Sequence, residues 1–250
     1  MRDDRDALER QLHRQLLWLR DSWIWLLKSK VVPDRGLDSP RLSALDIGCG
    51  PGLVMQLLEP FFEVTGVDID AGSISSARSS GLDVALANAN DLPYDDNSFD
   101  LVYCSFLILW LEDPVKAIGE MKRVARKSVI CLAEPDYGGR IDFPAELADL
   151  TRFLAIEIRD LGGDPYVGRK LRSFFNQNGM VTDIGIHQGV WDLETIRRQS
   201  EEEWAGVERA AERHVDAAFL RQERATWDRS LESGDLFQFN PVFYAIGRKD

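Results

Sequence analysis

At 250 residues, with 44% hydrophobic and 29% charged side chains, the chain has the size and composition of a globular protein that buries an ordinary core. Thirty basic against 42 acidic side chains leave a formal charge of -12, which repels polyanions and argues against nucleic acid as a partner. Cys49, Cys104 and Cys131 form no C-x-x-C pair, so reduced thiols and no metal site are expected, and no apolar run approaches the roughly 18 residues of a membrane span.

The first charges, Arg2-Asp3-Asp4-Arg5-Asp6, have no signal-peptide pattern, and a cytoplasmic location is expected. From Ala7 to Lys28, Leu12, Leu16, Leu19, Trp23 and Leu27 recur at spacings of three and four, which predicts a helix with one apolar face. Such a helix either packs on the core or acts as a lid whose aromatics line a pocket or touch lipid, so peripheral membrane contact through it stays open. Pro33, Gly36 and Pro40 break the pattern. A helical lid over residues 1–36 and a core domain over 37–250 are therefore expected.

Strands are predicted at Leu42–Ile47, Glu63–Asp68, Val84–Ala87, Leu101–Cys104 and Ser128–Ala133, alternating with helical segments. Several are near-continuous apolar runs, which argues for a parallel sheet covered on both faces. After Pro135 the rhythm changes. Helices are expected at Ala145–Leu161, Gly168–Asn178 and across Glu194–Glu232, with strands at Met180–Ile186 and Phe239–Gly247. The expected fold class is thus α/β, a Rossmann-like, seven-stranded, mostly parallel sheet with an antiparallel last strand. Helices cover both faces, and helical cap insertions fall at about 144–178 and 194–233.

The stretch Leu45-Asp46-Ile47-Gly48-Cys49-Gly50-Pro51-Gly52 reads as a strand entering a glycine-rich turn at the mouth of a helix. Such a turn lets backbone approach a ligand closely and presents free N–H groups. The third glycine of a dinucleotide fingerprint would fall at Leu53, so a pyrophosphate site fits poorly. Asp68, 20 residues after Gly48 at the end of the second strand, can accept both hydroxyls of a ribose.

The chain here resembles the class I S-adenosylmethionine-dependent methyltransferases, in particular the group that includes ubiquinone/menaquinone-type and other small-molecule enzymes. The stretch Leu45–Gly52 matches the first motif of that family, and Val64-Thr65-Gly66-Val67-Asp68-Ile69-Asp70 matches its second. Asn88-Ala89-Asn90-Asp91-Leu92-Pro93-Tyr94 and Asp96-Asn97-Ser98-Phe99-Asp100-Leu101-Val102 resemble its third and fourth. The resemblance implies S-adenosyl-L-methionine as cofactor, with S-adenosyl-L-homocysteine as product, and a 37–250 methyltransferase domain. It further implies that Gly48, Gly50 and Gly52 wrap the methionine and sugar, Asp46 fixes the ammonium, Asp68 holds the ribose and Ile69 packs on adenine. Asn88, where the family usually has Asp, would accept from the adenine amino group, Ala89 would offer its backbone N–H, and Ser105 and Phe106 would lie under the sulfonium.

Methyl transfer from a sulfonium needs chiefly positioning, so a dedicated base is optional. Candidate catalytic residues are Asp136 and Tyr137, where the chain leaves the fifth strand at the edge at which open α/β sheets bind ligands. As plainer readings, Asp136 opens a turn and Tyr137 is packing. Arg140 and Arg152 could clamp a carboxylate, and His187 and His214 could face the mouth, whereas His13 lies on the first helix. Glu201-Glu202-Glu203 reads as a solvated helix face; Trp204, Val207, Ala211 and Phe219 behind it are spaced for burial, while Trp191 and Trp227 add aromatic surface nearby, and the tryptophans of the helical appendages together suggest an apolar pocket. The expected activity is methyl transfer to an O, N or C atom of a small, moderately hydrophobic acceptor. The alternatives are a cofactor-binding sensor or partner subunit without catalysis, and a non-methylating enzyme that uses the same cofactor.

Overall fold

The computed structural model describes residues 2–32, 40–187 and 192–249, with side chains from residue 10 onward. The expected breaks at Pro33 and Gly36, the boundary at 36/37 and the aromatic Trp191 lie outside the described residues. Two compact units emerge. The first comprises Met1–Glu134, Lys170–His187 and Phe243–Asp250, and the second Pro135–Arg169 and Gln188–Val242.

The first unit opens with α1 (Arg2–Leu26), which runs into a π-helical turn at Leu27–Val31. The recurring positions pack as expected, with Leu19, Trp23, Leu26 and Leu27 buried, whereas Leu17 and Trp25 are exposed, so Trp25 does not widen the apolar face. Next come β1 (Leu42–Ile47), α2 (Leu53–Leu58), β2 (Phe62–Asp68), α3 (Ala71–Ser79), β3 (Val84–Leu86) and β4 (Phe99–Cys104). They are followed by α4 (Pro114–Val124) and β5 (Ala125–Pro135). Two helix starts are written into the local sequence. Asp70 accepts from Ser73 N at 2.6 Å to cap α3, and Asp113 accepts from Lys116 N at 2.9 Å ahead of Pro114 to cap α4.

The second unit contributes β6 (Ile141–Phe143) and α5 (Leu147–Asp160), after which α6 (Leu171–Gln177) and β7 (Thr182–Ile186) return to the first. The long helical stretch divides into α7 (Leu193–Ala211) and α8 (Ala217–Ser233), because Asp216 accepts from Phe219 N at 2.8 Å and starts a new helix. The chain ends with β8 (Phe237–Phe239) and β9 (Val242–Arg248). The continuous strand expected over Phe239–Gly247 is therefore two. The break falls at Asn240-Pro241, where the missing proline N–H cannot extend a ladder. β8 pairs instead with β6 in a two-stranded antiparallel ribbon that was not expected.

The main sheet has seven strands in the order β3-β2-β1-β4-β5-β9-β7. β1 lies parallel between β2 and β4, and β4 is parallel to β5, while β9 runs antiparallel to β7. This is the Rossmann-like arrangement expected, and its strand order reverses beside β1. The apolar runs have the reason that was read from them: Leu101, Val102, Val129, Ile130, Leu132 and Ala133 are essentially solvent-free because helices cover both faces. The second unit has its own core, in which Trp204 and Trp227 meet edge-to-face at 5.7 Å and Trp227 Nε1 donates to Ser200 Oγ at 2.7 Å. Trp204 is buried as its helical spacing predicts, whereas Trp227, expected to add aromatic surface, fills the same core instead.

Candidate functional site

The carboxyl end of β1 points its chain into the glycine turn. Gly48 and Cys49 both donate to the Val67 carbonyl of β2, at 2.8 and 3.0 Å, and so bend the backbone away from the sheet. Gly50 has φ +54°, and a Cβ there would meet nothing within 4 Å, so the backbone is exposed to any molecule lying on the turn. Gly52, at φ +88°, is the residue that starts α2, and a Cβ on it would collide with Leu82. The glycines thus serve two purposes: Gly52 allows close packing and Gly50 leaves a cradle.

Asp68 ends β2 and is oriented by backbone. Its Oδ2 accepts from Gly50 N at 2.8 Å and its Oδ1 from Asp70 N at 2.8 Å. Each oxygen keeps a lone pair, the arrangement needed to accept a pair of vicinal hydroxyls. Asp46, on β1, is 2% exposed, and its Oδ2 has no hydrogen-bond partner. Burial pushes its pKa well above the usual carboxylate range, the Tyr103 hydroxyl draws it part of the way back, and the charge of Asp68 raises it again. An uncompensated carboxylate here fits a cationic ligand group.

A cleft joins these groups. It is lined by Asp46 and the glycine turn, by Ser105 and Phe106 after β4, and by Leu12, Gln15, Leu16 and Trp23 of α1. Phe106 adopts φ +52° and donates its N–H to the Ala133 carbonyl at 2.8 Å. The loop beyond it is held by Glu134, which is fully buried. The Glu134 Oε1 accepts from Leu107 N and Ile108 N at 3.0 and 2.9 Å, and its Oε2 from Leu109 N at 3.3 Å. Burial pushes Glu134 up to about 8, with those three N–H donors opposing the rise. Leu107 in turn presses on the turn, since a Cβ on Gly48 would stand 2.7 Å from Leu107 Cδ1. Glu134 therefore shapes the cleft from behind.

The remaining candidates sort as follows. Ile69 is 71% exposed, and Ala89 is buried. Asn88 is exposed, and its Oδ1 accepts from Asn90 N at 2.9 Å, closing a turn that leaves a lone pair on the same oxygen. In the second unit the Asp136 carboxylate is engaged on both oxygens by Arg169, at 2.5 Å from Nε and 2.7 Å from Nη2, and also accepts from Gly138 N at 3.1 Å. Burial raises the Tyr137 phenol above its usual range. Arg140 does not await a carboxylate: it is paired with Asp142, whose Oδ2 also accepts from Thr151 Oγ1 at 2.7 Å. Arg152 forms an exposed pair with Asp149.

His187 is buried, with Nε2 2.6 Å from the Leu132 carbonyl, so it serves the interior and faces no mouth. His214 stacks on Phe153 at 5.3 Å. Sequence reading did not assign Leu12, Gln15, Leu16 and Trp23 to the glycine turn, nor Glu134 to the loop it anchors. Amphipathic spacing signals that α1 packs, and the acidic end of an apolar strand signals that Glu134 is unusual, but neither spacing names the neighbour.

The described helices include none long and apolar enough to cross a membrane. Among the described residues no cluster of three or more His, Cys, Asp or Glu could hold a metal ion.

Residues 45–133 match the family model of a methyltransferase domain. An uncharacterised 37.1 kDa protein in transposon TN4556 of Streptomyces fradiae is 27% identical over 224 residues, covering 84% of this chain and 63% of that protein. A demethylmenaquinone methyltransferase of Staphylococcus aureus is 31% identical over 120 residues, covering 44% of this chain and 48% of that protein. The chain thus spans less than two thirds of the length of either relative. Among solved structures, a Haemonchus contortus phosphoethanolamine N-methyltransferase, in complex with phosphomonomethylethanolamine and S-adenosylhomocysteine, superposes with a TM-score of 0.58 at 15% identity. The superposition covers 92% of this chain and 53% of that one, and it shows the shared fold.

Proposed function

We propose, from the premise that this chain carries a class I S-adenosylmethionine-dependent methyltransferase domain at residues 45–133, that it methylates an O, N or C atom of a small, moderately hydrophobic organic acceptor. The observation that carries the cofactor reading is the fit of opposite charges in the cleft. Asp46 presents a buried carboxylate oxygen with no partner, beside a Gly50 backbone open to close approach. S-adenosylmethionine bound in this cleft supplies an activated methyl group on a positively charged sulfur.

The chain's own residues bind and orient. Asp46 takes the ammonium and Asp68, fixed by Gly50 N and Asp70 N, takes the ribose hydroxyls. Ile69 and Ala89 flank the adenine, and the remaining lone pair of Asn88 Oδ1 accepts from its amino group. Ser105 and Phe106, which line the cleft, would lie under the sulfur. Leu12, Leu16 and Phe106 give the cleft apolar walls that exclude water, which favours an acceptor that tolerates an apolar setting. Holding acceptor and donor in line can supply up to ~7–11 kcal/mol of the barrier without any base.

The catalytic candidates then take different parts. Asp136, saturated by Arg169 and Gly138, orders the turn that follows β5, and Tyr137, whose phenol burial keeps protonated, is suited to donate a hydrogen bond rather than to act as a base. The protein is proposed to act in the cytoplasm.

The test is incubation with methyl-labelled S-adenosylmethionine and a panel of acceptors graded in polarity, with S-adenosylhomocysteine as the second readout. Label transfer to apolar phenols, acids or amines is expected. Transfer confined to small, highly polar acceptors would remove the substrate class, and turnover that yields no S-adenosylhomocysteine would remove methyl transfer.

A further inference from the structure

Trp23 is 1% exposed, it lines the cleft that contains Asp46 and the glycine turn, and its indole Nε1 has no hydrogen-bond partner. Packing does not call for that atom. A phenylalanine would fill most of the same space without desolvating a donor, and buried donors in folded proteins are nearly always satisfied. Among the described residues, the cleft thus contains one orphaned buried donor, Trp23 Nε1, and one orphaned buried acceptor, Asp46 Oδ2.

The amino-acid end of S-adenosylmethionine is a zwitterion, with an ammonium and a carboxylate on the same carbon. Asp46 suits the ammonium. Among the described residues no Lys, Arg or His side chain lines the cleft, and the donors it offers a carboxylate are neutral. Gln15, Ser105 and the turn backbone can supply donors, but the Trp23 N–H is the one among them that is buried without a partner.

We propose that α1 is part of the cofactor site, with Trp23 donating its indole N–H to the carboxylate of the cofactor's methionine moiety while Asp46 accepts from the ammonium. The inference rests on the cofactor reading above and extends it to a helix outside the family motifs. The far end of the N-terminal segment is tied to the sheet: Lys30 Nζ bonds Asp183 Oδ2 at 2.8 Å, and Arg248 Nη2 donates to the Lys30 carbonyl at 2.9 Å. Trp23 lies between that anchorage and the cleft-lining residues Leu12, Gln15 and Leu16, so a bond from cofactor to indole fastens the helix over the turn.

The experiment is calorimetric titration of the full chain and of Trp23→Phe with three ligands. These are S-adenosylhomocysteine, its decarboxylated analogue, which keeps the ammonium, and 5′-methylthioadenosine, which lacks both charges. Trp23→Phe is expected to weaken S-adenosylhomocysteine ~10-fold while leaving the other two within ~2-fold. Equal weakening of all three assigns Trp23 to packing and overturns the inference, as does unchanged affinity for S-adenosylhomocysteine. Failure of the unaltered protein to bind any of the three removes the cofactor reading itself, and this inference with it. If Trp23→Phe does not fold, the unaltered protein with isotope-labelled tryptophan decides. The Trp23 indole N–H resonance is expected to move downfield with S-adenosylhomocysteine and not with 5′-methylthioadenosine, and the same response to both overturns the assignment.

Discussion

Asp46 near the end of β1 and Glu134 near the end of β5 are both carboxylates in the solvent-free interior of one sheet, and they have been treated oppositely. Glu134 accepts three backbone N–H groups from the loop after β4, whereas Asp46 keeps an oxygen with no partner. A saturated buried carboxylate builds the protein, because removing it strands the donors it satisfies. An unsaturated one calls for a further partner, and a cationic ligand group can supply it. Asp136, two residues beyond Glu134, is of the saturated kind, closed by Arg169 and Gly138.

Breaking the Glu134 side should have the largest effect. Glu134→Ala leaves the Leu107, Ile108 and Leu109 N–H groups buried and unpaired, and a loss of about 3–5 kcal/mol is expected in urea unfolding. Glu134→Gln should fall between the variant and the parent. An unchanged unfolding midpoint for Glu134→Ala would show that the loop does not depend on the carboxylate.

The pH dependence of stability tests the same residue. Burial pushes Glu134 up to about 8 in the folded chain, from an ordinary value of 4.5. The folded chain therefore retains a proton that the unfolded chain has released, and the contribution is fully present below about 4.5 and lost as pH rises through about 8. Stability is expected to fall by a few kcal/mol across that window, with this part of the slope missing in Glu134→Gln. A parallel profile in the variant would assign the slope to other groups.

Asp46→Asn sharpens the contrast in the other direction. Stability should stay level or rise, because no partner of the Asp46 Oδ2 oxygen is lost, while S-adenosylhomocysteine affinity falls ~10-fold. Since burial raises the Asp46 pKa in the free protein, ligand binding should also release a proton. That release is visible as a buffer-dependent heat in calorimetry. A variant that binds normally but melts early would place Asp46 with Glu134 instead.

The smallest effect is expected for Arg169→Ala. The arginine side chain is 54% exposed and Gly138 N still holds Asp136, so solvent screening limits the loss to about 1 kcal/mol or less in thermal unfolding. A loss as large as that of Glu134→Ala would mean that the ion pair, rather than the backbone cap, organises the turn.

What the sequence determined by itself was everything carried by short-range spacing. The strand entering Gly48–Gly52, the carboxylate of Asp68 and the parallel sheet all follow from period and turn chemistry within a few residues. The matching methyltransferase-domain segment, residues 45–133, is contiguous for the same reason. Only the tertiary structure decided which distant groups meet. Trp23 reaches the turn that follows Asp46, Glu134 closes on residues 25–27 positions earlier, and Arg169 takes Asp136 from 33 positions away. Arg140 looked available in sequence and is occupied by Asp142, while Trp227 looked like free aromatic surface and fills a core. Burial and hydrogen-bond saturation belong to a packed neighbourhood, and no periodicity along the chain records whether a polar atom will find its partner there.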